Sequence, residues 1–300
     1  MSRNFAHAPA TIRLGGKEVS RVGFGAMQLP GPGVWGEPRN PEGARAVLRR
    51  VVDCGIRLID TSWYYGPHVA NRLIAETLYP YPNDLLLATK LGGARTPDKA
   101  WVPALTPDAL RRGCEDDLRG LRLDRCDYVH LRHIPNDVPF LESLDAMIAL
   151  RAEGKIGHVA LSNVTLAQFE QAMARTPIAG VQNLYNVVLG ERSLASVPHT
   201  VVQDQEKIVD LCAANSIAFL PFFPLALPGA GQPASAALSE IAARHGASQA
   251  QVAIAWLLAR SPAMVPIPGT SSVAHLDEDW AARELALSAE EIARITHARA

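Results

Sequence analysis

The sequence contains little cysteine, and no two cysteines stand at the spacing of a metal site or a redox motif. Only four occur among its 300 residues, namely Cys54, Cys114, Cys126 and Cys212. Because no Cys-x-x-Cys motif is present, a zinc ribbon or a dithiol redox centre is not expected. Scattered single cysteines of this kind are typical of small core residues in a reducing compartment, rather than of a disulfide framework.

The sequence also lacks an excess of charge and a long hydrophobic run. Its 29 basic and 30 acidic residues leave a formal net charge of -1, which gives no support for nucleic acid or an anionic membrane as a partner. No apolar run reaches the ~18–20 residues that a membrane-spanning helix needs, and the N-terminus has no apolar stretch. We therefore predict a soluble, cytoplasmic protein without a nucleic-acid or membrane partner.

Short apolar strands alternate with helices along the chain. Residues 11–14 and 17–20 flank Gly15-Gly16, which predicts a short β-hairpin. Eight strands follow, at a spacing of roughly 30–40 residues that suits strand–helix units; they cover residues 22–27, 56–60, 85–90, 127–132, 156–161, 178–184, 217–222 and 264–267. No change of composition divides the chain. We predict an α/β fold, a closed (β/α)8 TIM barrel with a short N-terminal hairpin, as one domain over residues 1–300.

An open, doubly wound sheet is the alternative fold for the same alternation. Such sheets normally carry a Gly-x-Gly-x-x-Gly turn between the first strand and a helix. Gly23 and Gly25 occur at this place, but the third glycine and the helix are missing. The closed barrel is therefore favoured.

Polar side chains stand where the predicted strands end, which is the catalytic face of such a barrel. Asp60 ends the second strand, Lys90 ends the third, and Tyr65 follows Asp60 before a turn at Gly66-Pro67. A buried carboxylate needs a partner, so we expect Asp60 to hold Lys90. The ammonium of Lys90 is expected to lower the pKa of Tyr65, which then exchanges a proton with a carbonyl or alcohol oxygen.

The fourth strand has one polar face. Tyr128, His130 and Arg132 alternate with apolar residues, so they are expected to point into the barrel with Arg132 nearest the site. His133 belongs to the opposite face. A metal site of Cys126, His130 and His133 is the alternative, but the alternation separates the two histidines, and no metal is predicted.

A proton donor alone does not reduce a carbonyl, so a hydride-carrying cofactor is required. The side-chain amides of Asn163 and Gln182 suit the carboxamide of nicotinamide, and Phe222 suits the face of its ring. The turn Gly269–Ser272 opens a helix and is suited to the cofactor phosphates. A plain helix cap is the other interpretation of this turn.

These residues belong to motifs that resemble the aldo-keto reductase superfamily over essentially the whole chain. The motifs are Gly23-Phe-Gly-Ala-Met27, Ile59-Asp-Thr-Ser62, Tyr65-Gly66, Thr89-Lys90, Gly154-Lys-Ile-Gly157, Leu161-Ser-Asn163, Val181-Gln182, Pro224-Leu225 and Ile267-Pro-Gly-Thr270. The resemblance implies an acid/base tyrosine at Tyr65 with Asp60 and Lys90 beside it. At the family's catalytic histidine position this chain has Arg132, a permanent cation and fork-shaped donor.

The resemblance also implies a cofactor, NADPH, with NADH as the alternative. The predicted cofactor residues are Ser162, Asn163, Gln182, Phe222, Pro224, Leu225, Gly269, Thr270, Ser271, Ser272, His275 and Glu278. Phe222 stands where a tyrosine is commoner. Gly269 and His275 replace the lysine and arginine with which many members hold the 2′-phosphate, which weakens the preference for NADPH.

Within the superfamily, further stretches resemble the bacterial pyridoxal reductase branch. They are Gly25-Ala-Met-Gln-Leu29, Gly31-Pro-Gly-Val34, Tyr65-Gly-Pro-His-Val69, Leu78-Tyr-Pro-Tyr81, Pro221-Phe-Phe-Pro-Leu225 and Ile267-Pro-Gly-Thr-Ser-Ser-Val-Ala-His-Leu276. The likeness implies reduction of a small aldehyde, with pyridoxal as the named candidate. Flat walls for its ring are predicted from Trp35, Trp63, Tyr64 and Trp101. The alternatives are an aldose or alcohol dehydrogenase and a regulatory subunit that binds the cofactor with little turnover.

Overall fold

A β-hairpin begins the part of the chain that the computed structural model describes, residues 10–188, 200–225 and 233–298. Strand β1 (Thr11–Leu14) pairs antiparallel with β2 (Lys17–Ser20). Gly15 and Gly16 have φ of +56° and +80°, a region that glycine adopts without the steric penalty of a side chain. The predicted hairpin is confirmed, and Leu14 packs among the side chains inside the barrel.

Parallel strands form the wall of the barrel. In chain order they are β3 (Phe24–Gly25), β4 (Leu58–Asp60), β5 (Leu86–Leu91), β8 (Cys126–Arg132), β9 (Ile156–Ser162), β10 (Gly180–Gln182) and β11 (Ala218–Phe219). Neighbouring strands pair in the order β11-β10-β9-β8-β5-β4-β3. Along the chain, β5 is followed by β6 (Gly93–Arg95) and β7 (Trp101–Pro103), which pair antiparallel in a separate hairpin before β8. This second hairpin was not predicted from the sequence.

The eighth predicted strand, residues 264–267, closes the barrel without forming a regular strand. On one side the Val265 N–H donates to the carbonyl of Phe219 at 2.8 Å. On the other side the N–H groups of Gly23 and Gly25 donate to the carbonyls of Pro266 and Pro268, each at 2.9 Å. Prolines have no N–H to donate, so the ladder is interrupted at alternate residues. The predicted (β/α)8 barrel is confirmed, with this irregular edge.

Helices surround the barrel and connect its strands. They are α1 (Pro41–Asp53), α2 (Val69–Leu78), α3 (Pro107–Leu121), α4 (Phe140–Ala152), α5 (Leu166–Arg175), α6 (Gln205–Ala214), α7 (Pro233–His245), α8 (Gln249–Arg260), α9 (Val273–Ala281) and α10 (Ala289–Ala298). The hydroxyl of Thr106 accepts from the Ala109 N–H and caps α3, with proline at its first position. No helix among the described residues is both long and apolar enough to cross a bilayer.

Alternation along β8 separates the barrel interior from the helix layer. Tyr128 belongs to the buried cluster inside the barrel, whereas Val129 and Leu131 pack with the helices outside it. The same alternation puts Leu86 inside and Leu87 outside in β5. Because side chains of successive strand residues point to opposite faces, the polar face predicted for β8 points into the barrel.

Candidate active site

A buried ion pair lies at the carboxyl ends of β4 and β5. The Lys90 ammonium donates to Asp60 Oδ2 at 2.5 Å and to the Thr61 carbonyl at 3.2 Å, and the two charged side chains are only 2% and 4% exposed. The second oxygen of Asp60 accepts from Gln182 Nε2 at 2.9 Å. Both carboxylate oxygens are therefore satisfied, as a buried charge requires.

Tyr65 lies against this pair with its hydroxyl available. Lys90 Nζ is 5.0 Å from the centre of its ring, and no hydrogen bond joins the hydroxyl to another group in the described part of the chain. Burial, helped by the charge of Asp60, raises the pKa of Tyr65, while Arg132 lowers it. The expectation that Lys90 lowers this pKa is not confirmed: desolvation is the largest effect, and Arg132 is the cation that lowers the pKa. At neutral pH Tyr65 is a neutral phenol that can donate a proton.

These groups open into a cavity of about 610 Å³. Its walls combine a polar corner with a larger apolar and aromatic surface, as small-molecule sites do. The lining residues are Gly25, Met27, Gln28, Gly33, Val34, Asp60, Tyr64, Tyr65, Lys90, Trp101, Arg132, Ile134, Gln182, Phe222, Phe223, Pro224, Leu225, Ile267, Pro268 and Gly269. The predicted residues Asp60, Tyr65, Lys90 and Arg132 are thus brought to one surface.

Arg132 is the residue of the polar face of β8 that reaches the cavity. Its guanidinium lies 5.3 Å from the centre of the Phe222 ring and donates to Ser162 Oγ at 3.4 Å. No carboxylate of the described residues forms an ion pair with it. The cation therefore faces the cavity without an anionic partner in the part of the chain that the structure describes.

His130 in β8 and His133, which directly follows β8, lie on opposite sides of the barrel wall. His130 is inside, with Nδ1 4.0 Å from Asp60 Oδ1, and burial together with Lys90 lowers its pKa so that it is neutral. His133 is outside, edge-on to the Phe140 ring at 5.6 Å between centres. Among the described residues, no group of three or more His, Cys, Asp or Glu side chains is arranged to hold a metal ion.

Five of the predicted cofactor residues line the cavity, namely Gln182, Phe222, Pro224, Leu225 and Gly269. Ser162 and Asn163 do not. The Asn163 amide is occupied by the backbone, since its Nδ2 donates to the His133 carbonyl at 2.7 Å and its Oδ1 accepts from the Val201 N–H at 2.8 Å. Loop contacts of this kind have no signal in the sequence.

The remaining predicted cofactor residues surround the start of α9. The hydroxyl of Ser272 accepts from the His275 N–H at 3.5 Å, and that of Thr270 accepts from the Ser272 N–H at 3.0 Å. Ser271, His275 and Glu278 are exposed. The Ser272 side chain therefore caps α9, as the alternative interpretation of this turn predicts. The exposed N-terminal end of α9 is also suited to an anion.

Two of the four predicted aromatic walls belong to the cavity. Tyr64 and Trp101 line it, with their rings edge to face at 5.9 Å. Trp63 and Trp35 are not among the residues that line it. Trp63 is turned outward to α3, where its Nε1 would lie 2.8 Å from a Cβ added at Gly113.

The β6–β7 hairpin carries Trp101, which lines the cavity, and contacts the loop that carries Trp35. Arg95 lies over the Trp101 ring at 4.0 Å and over the Trp35 ring at 5.3 Å. It also donates to the carbonyl of Val34 at 2.9 Å. Arg95 therefore joins the hairpin to the loop of residues 31–36, with Trp101 on the cavity side.

A close approach of two backbone segments shapes one end of the cavity. A Cβ at Gly269 would lie 2.5 Å from the Gly25 carbonyl, and one at Gly25 would lie 2.7 Å from the Ile267 carbonyl. Glycine is the residue that allows such contact. A ligand in the cavity therefore meets bare backbone at this end.

Comparison with known proteins supports the resemblance to the aldo-keto reductases along most of the chain. The model of the aldo/keto reductase family matches residues 21–300. Pyridoxine 4-dehydrogenase of Escherichia coli K12 is 44% identical over 286 residues, covering 93% of this chain and 95% of that protein. An uncharacterized oxidoreductase of Schizosaccharomyces pombe is 37% identical over 290 residues, covering 97% of this chain and 90% of its own length.

Among solved structures, an aldo/keto reductase of Klebsiella pneumoniae in complex with NADP and acetate superimposes with a TM-score of 0.76. It is 26% identical, and the match covers 96% of this chain and 94% of that one. The barrel is thus similar to that of a solved aldo/keto reductase.

Proposed function

Because the chain belongs to the aldo/keto reductase family and is therefore an oxidoreductase of carbonyl and alcohol groups, we propose that it reduces a small aldehyde with NADPH. We propose pyridoxal, reduced to pyridoxine, as its substrate. One observation carries the proposal: the neutral, unbonded hydroxyl of Tyr65 lies beside the buried Asp60–Lys90 pair in the wall of the cavity.

The cavity residues fit a dinucleotide cofactor. The flat face of Phe222 lines the cavity, and Gly25 and Gly269 present bare backbone in its wall, a surface that suits a planar ring. The proposed contacts are Gln182, Phe222, Pro224, Leu225 and Gly269 in the cavity, Ser162 and Asn163 behind it, and Thr270, Ser271, Ser272, His275 and Glu278 at the start of α9. Bound NADPH would supply the hydride for the carbonyl carbon.

The protein's own residues then handle the proton and the charge. Tyr65 donates its proton to the carbonyl oxygen as negative charge develops there. Lys90, 5.0 Å from the ring centre, stabilises the tyrosinate that remains, and Asp60 holds Lys90 in place through its hydrogen bond at 2.5 Å. Arg132 orients and polarises the carbonyl as a permanent cation, without exchanging a proton.

Two features favour a flat, aromatic aldehyde. Tyr64 and Trp101 provide aromatic surfaces on the cavity wall, and the most similar of the relatives named above acts, by its name, on pyridoxine. Residues 1–300 would act as a single barrel domain on a small carbonyl substrate.

The test compares substrates and cofactors on the purified full chain. We expect pyridoxal with NADPH to give the highest kcat/KM, pyridoxal with NADH a lower one, and sugars with NAD little turnover. NADPH deuterated at C4 of the nicotinamide should transfer deuterium to the new hydroxymethyl carbon of pyridoxine. Faster oxidation of sugars with NAD would contradict the proposal, and so would a bound cofactor without turnover on any aldehyde.

A further inference from the structure

A second polar cluster lies directly behind the catalytic pair, on the helix side of the same strands. Thr61 follows Asp60, and Thr89 precedes Lys90, so alternation turns both threonines outward while the charged residues point into the barrel. Both threonines are fully buried. The outer cluster is thus separated from the ion pair only by the barrel wall.

Hydrogen bonds connect this cluster to Lys90 in an unbroken series. The carbonyl of Thr61 accepts from Lys90 at 3.2 Å, and the hydroxyl of Thr61 donates to Asn71 Oδ1 at 2.8 Å. Asn71 Nδ2 then donates to Asp117 Oδ1 at 2.7 Å. Asn71 on α2 and Asp117 on α3 are both completely buried.

Asp117 is an unusual group to find at a helix interface. No lysine, arginine or histidine within the described ranges forms an ion pair with it, and its Oδ2 has no hydrogen-bond partner there. Burial raises its pKa to about 7, although Asn71, Thr89, the Trp63 backbone and Lys90 each lower it. A buried carboxyl group with an unpartnered oxygen costs stability, and a functional role would explain why the chain has one here.

The titratable groups around Asp117 come from three elements. Lys90 acts on it from β5, Cys114 lies on its own helix, and Cys126 faces it from β8. Burial raises the pKa of both thiols, so they are neutral at pH 7. From α2 the contact is the uncharged Asn71. On the far side of the wall, the charge of Asp117 also acts on Tyr65.

We propose that Asp117 is a positioning residue for the reduction: through Asn71 and Thr61 it holds the backbone carbonyl that fixes Lys90 beside Tyr65. The inference rests on the proposed function, because it assumes that Lys90 and Tyr65 act in catalysis. A purely structural role, filling the interface of α2 and α3, is the alternative that the test must separate.

Two variants separate hydrogen bonding from charge at this position. Asp117→Asn keeps an acceptor for Asn71 and removes the charge, whereas Asp117→Leu removes both. We expect Asp117→Leu to lower kcat about tenfold with KM nearly unchanged, because misplacing a catalytic group affects turnover and residue 117 lies outside the cavity. Asp117→Asn should restore most of kcat, and its kcat profile should turn down at lower pH.

The reason for that shift is the effect of the Asp117 charge on Tyr65. The charge raises the pKa of Tyr65, so its removal lowers that pKa, and the proton needed for reduction is lost at lower pH. Glu291→Gln is the matched control: Glu291 is a buried carboxylate on α10, bonded to His245 and to the Ser288 N–H. This variant should lose stability with no change in the pH profile.

A readout without turnover distinguishes failure of this inference from failure of the proposed function. Carbon-13 at the tyrosine Cζ atoms reports the Tyr65 titration by NMR, with Tyr65→Phe to assign the signal. We expect its midpoint to lie lower in Asp117→Asn than in the wild type. An unchanged midpoint, or an Asp117→Leu variant whose kcat stays within twofold of an active wild type, would overturn the positioning role. An inactive wild type with a shifted midpoint would overturn only the proposed reaction.

Discussion

Two buried carboxylates stand on opposite faces of the same barrel wall, and they have opposite surroundings. Asp60, inside, has an ammonium on one oxygen and an amide on the other. Asp117, outside, has one amide, and the pKa of its carboxyl group is raised by burial to about 7. Equal burial therefore does not give equal surroundings: only the inner carboxylate is bonded to a cation.

Removing the cation that pairs with the inner carboxylate should cause the largest loss of stability and activity. Lys90→Met leaves Asp60 buried with only the Gln182 amide, and breaking a buried pair in this way costs about 3–5 kcal/mol. We expect that loss in the free energy of unfolding by denaturant, together with loss of aldehyde reduction. The matched control is Lys155→Met, which breaks the partly exposed pair with Glu115 and should cost at most about 1 kcal/mol. Equal losses would contradict the comparison.

Neutralising the outer carboxylate should instead change how stability depends on pH. The folded state holds the proton of Asp117 up to about pH 7, against an ordinary value of 3.8. Its contribution is therefore complete below pH 4 and is lost as pH rises to 7. Asp117→Asn removes this loss. As pH rises from 4 to 7, its unfolding free energy should therefore increase relative to that of the wild type by about 1.4 kcal/mol per unit of pKa shift.

Denaturant unfolding at pH 5 and pH 8 measures that difference. The unfolding free energy of Asp117→Asn minus that of the wild type should be more positive at pH 8 than at pH 5. A constant difference would mean that Asp117 does not titrate in this range, which would contradict the raised pKa of its carboxyl group.

The barrel and the inner carboxylate were predictable from the sequence, and the outer one was not. Asp60, Lys90 and Arg132 end apolar strands, and the topology of a parallel barrel brings strand ends together. Asp117 lies in a helix among other charged residues, and only the packing of α3 on α2 turns it toward Asn71. The outward turn of Trp63 likewise depends on the space above Gly113, which no local pattern reports.

The smallest effects are expected at the two outer threonines. Thr61 donates to Asn71 at 2.8 Å, whereas the Thr89 hydroxyl has no partner in the described part of the chain. Thr61→Val should cost about 1 kcal/mol and lower kcat, because it breaks the series that leads to Lys90. Thr89→Val should cost less than Thr61→Val and leave kcat nearly unchanged, because the Thr89 hydroxyl is not part of that series, although it lowers the pKa of Asp117. Equal effects of the two changes, by denaturant unfolding and kcat, would refute this distinction.

The most direct test of the account is the single-turnover rate of pyridoxal reduction by Tyr65→Phe with saturating NADPH. Tyr65 is the proposed proton donor beside Asp60 and Lys90, and loss of a general acid lowers rates by about 10²–10⁴-fold. We predict a fall of this size with cofactor affinity nearly unchanged, and a much smaller fall for the neighbouring Tyr64→Phe. A Tyr65→Phe rate close to that of the wild type would contradict the central claim.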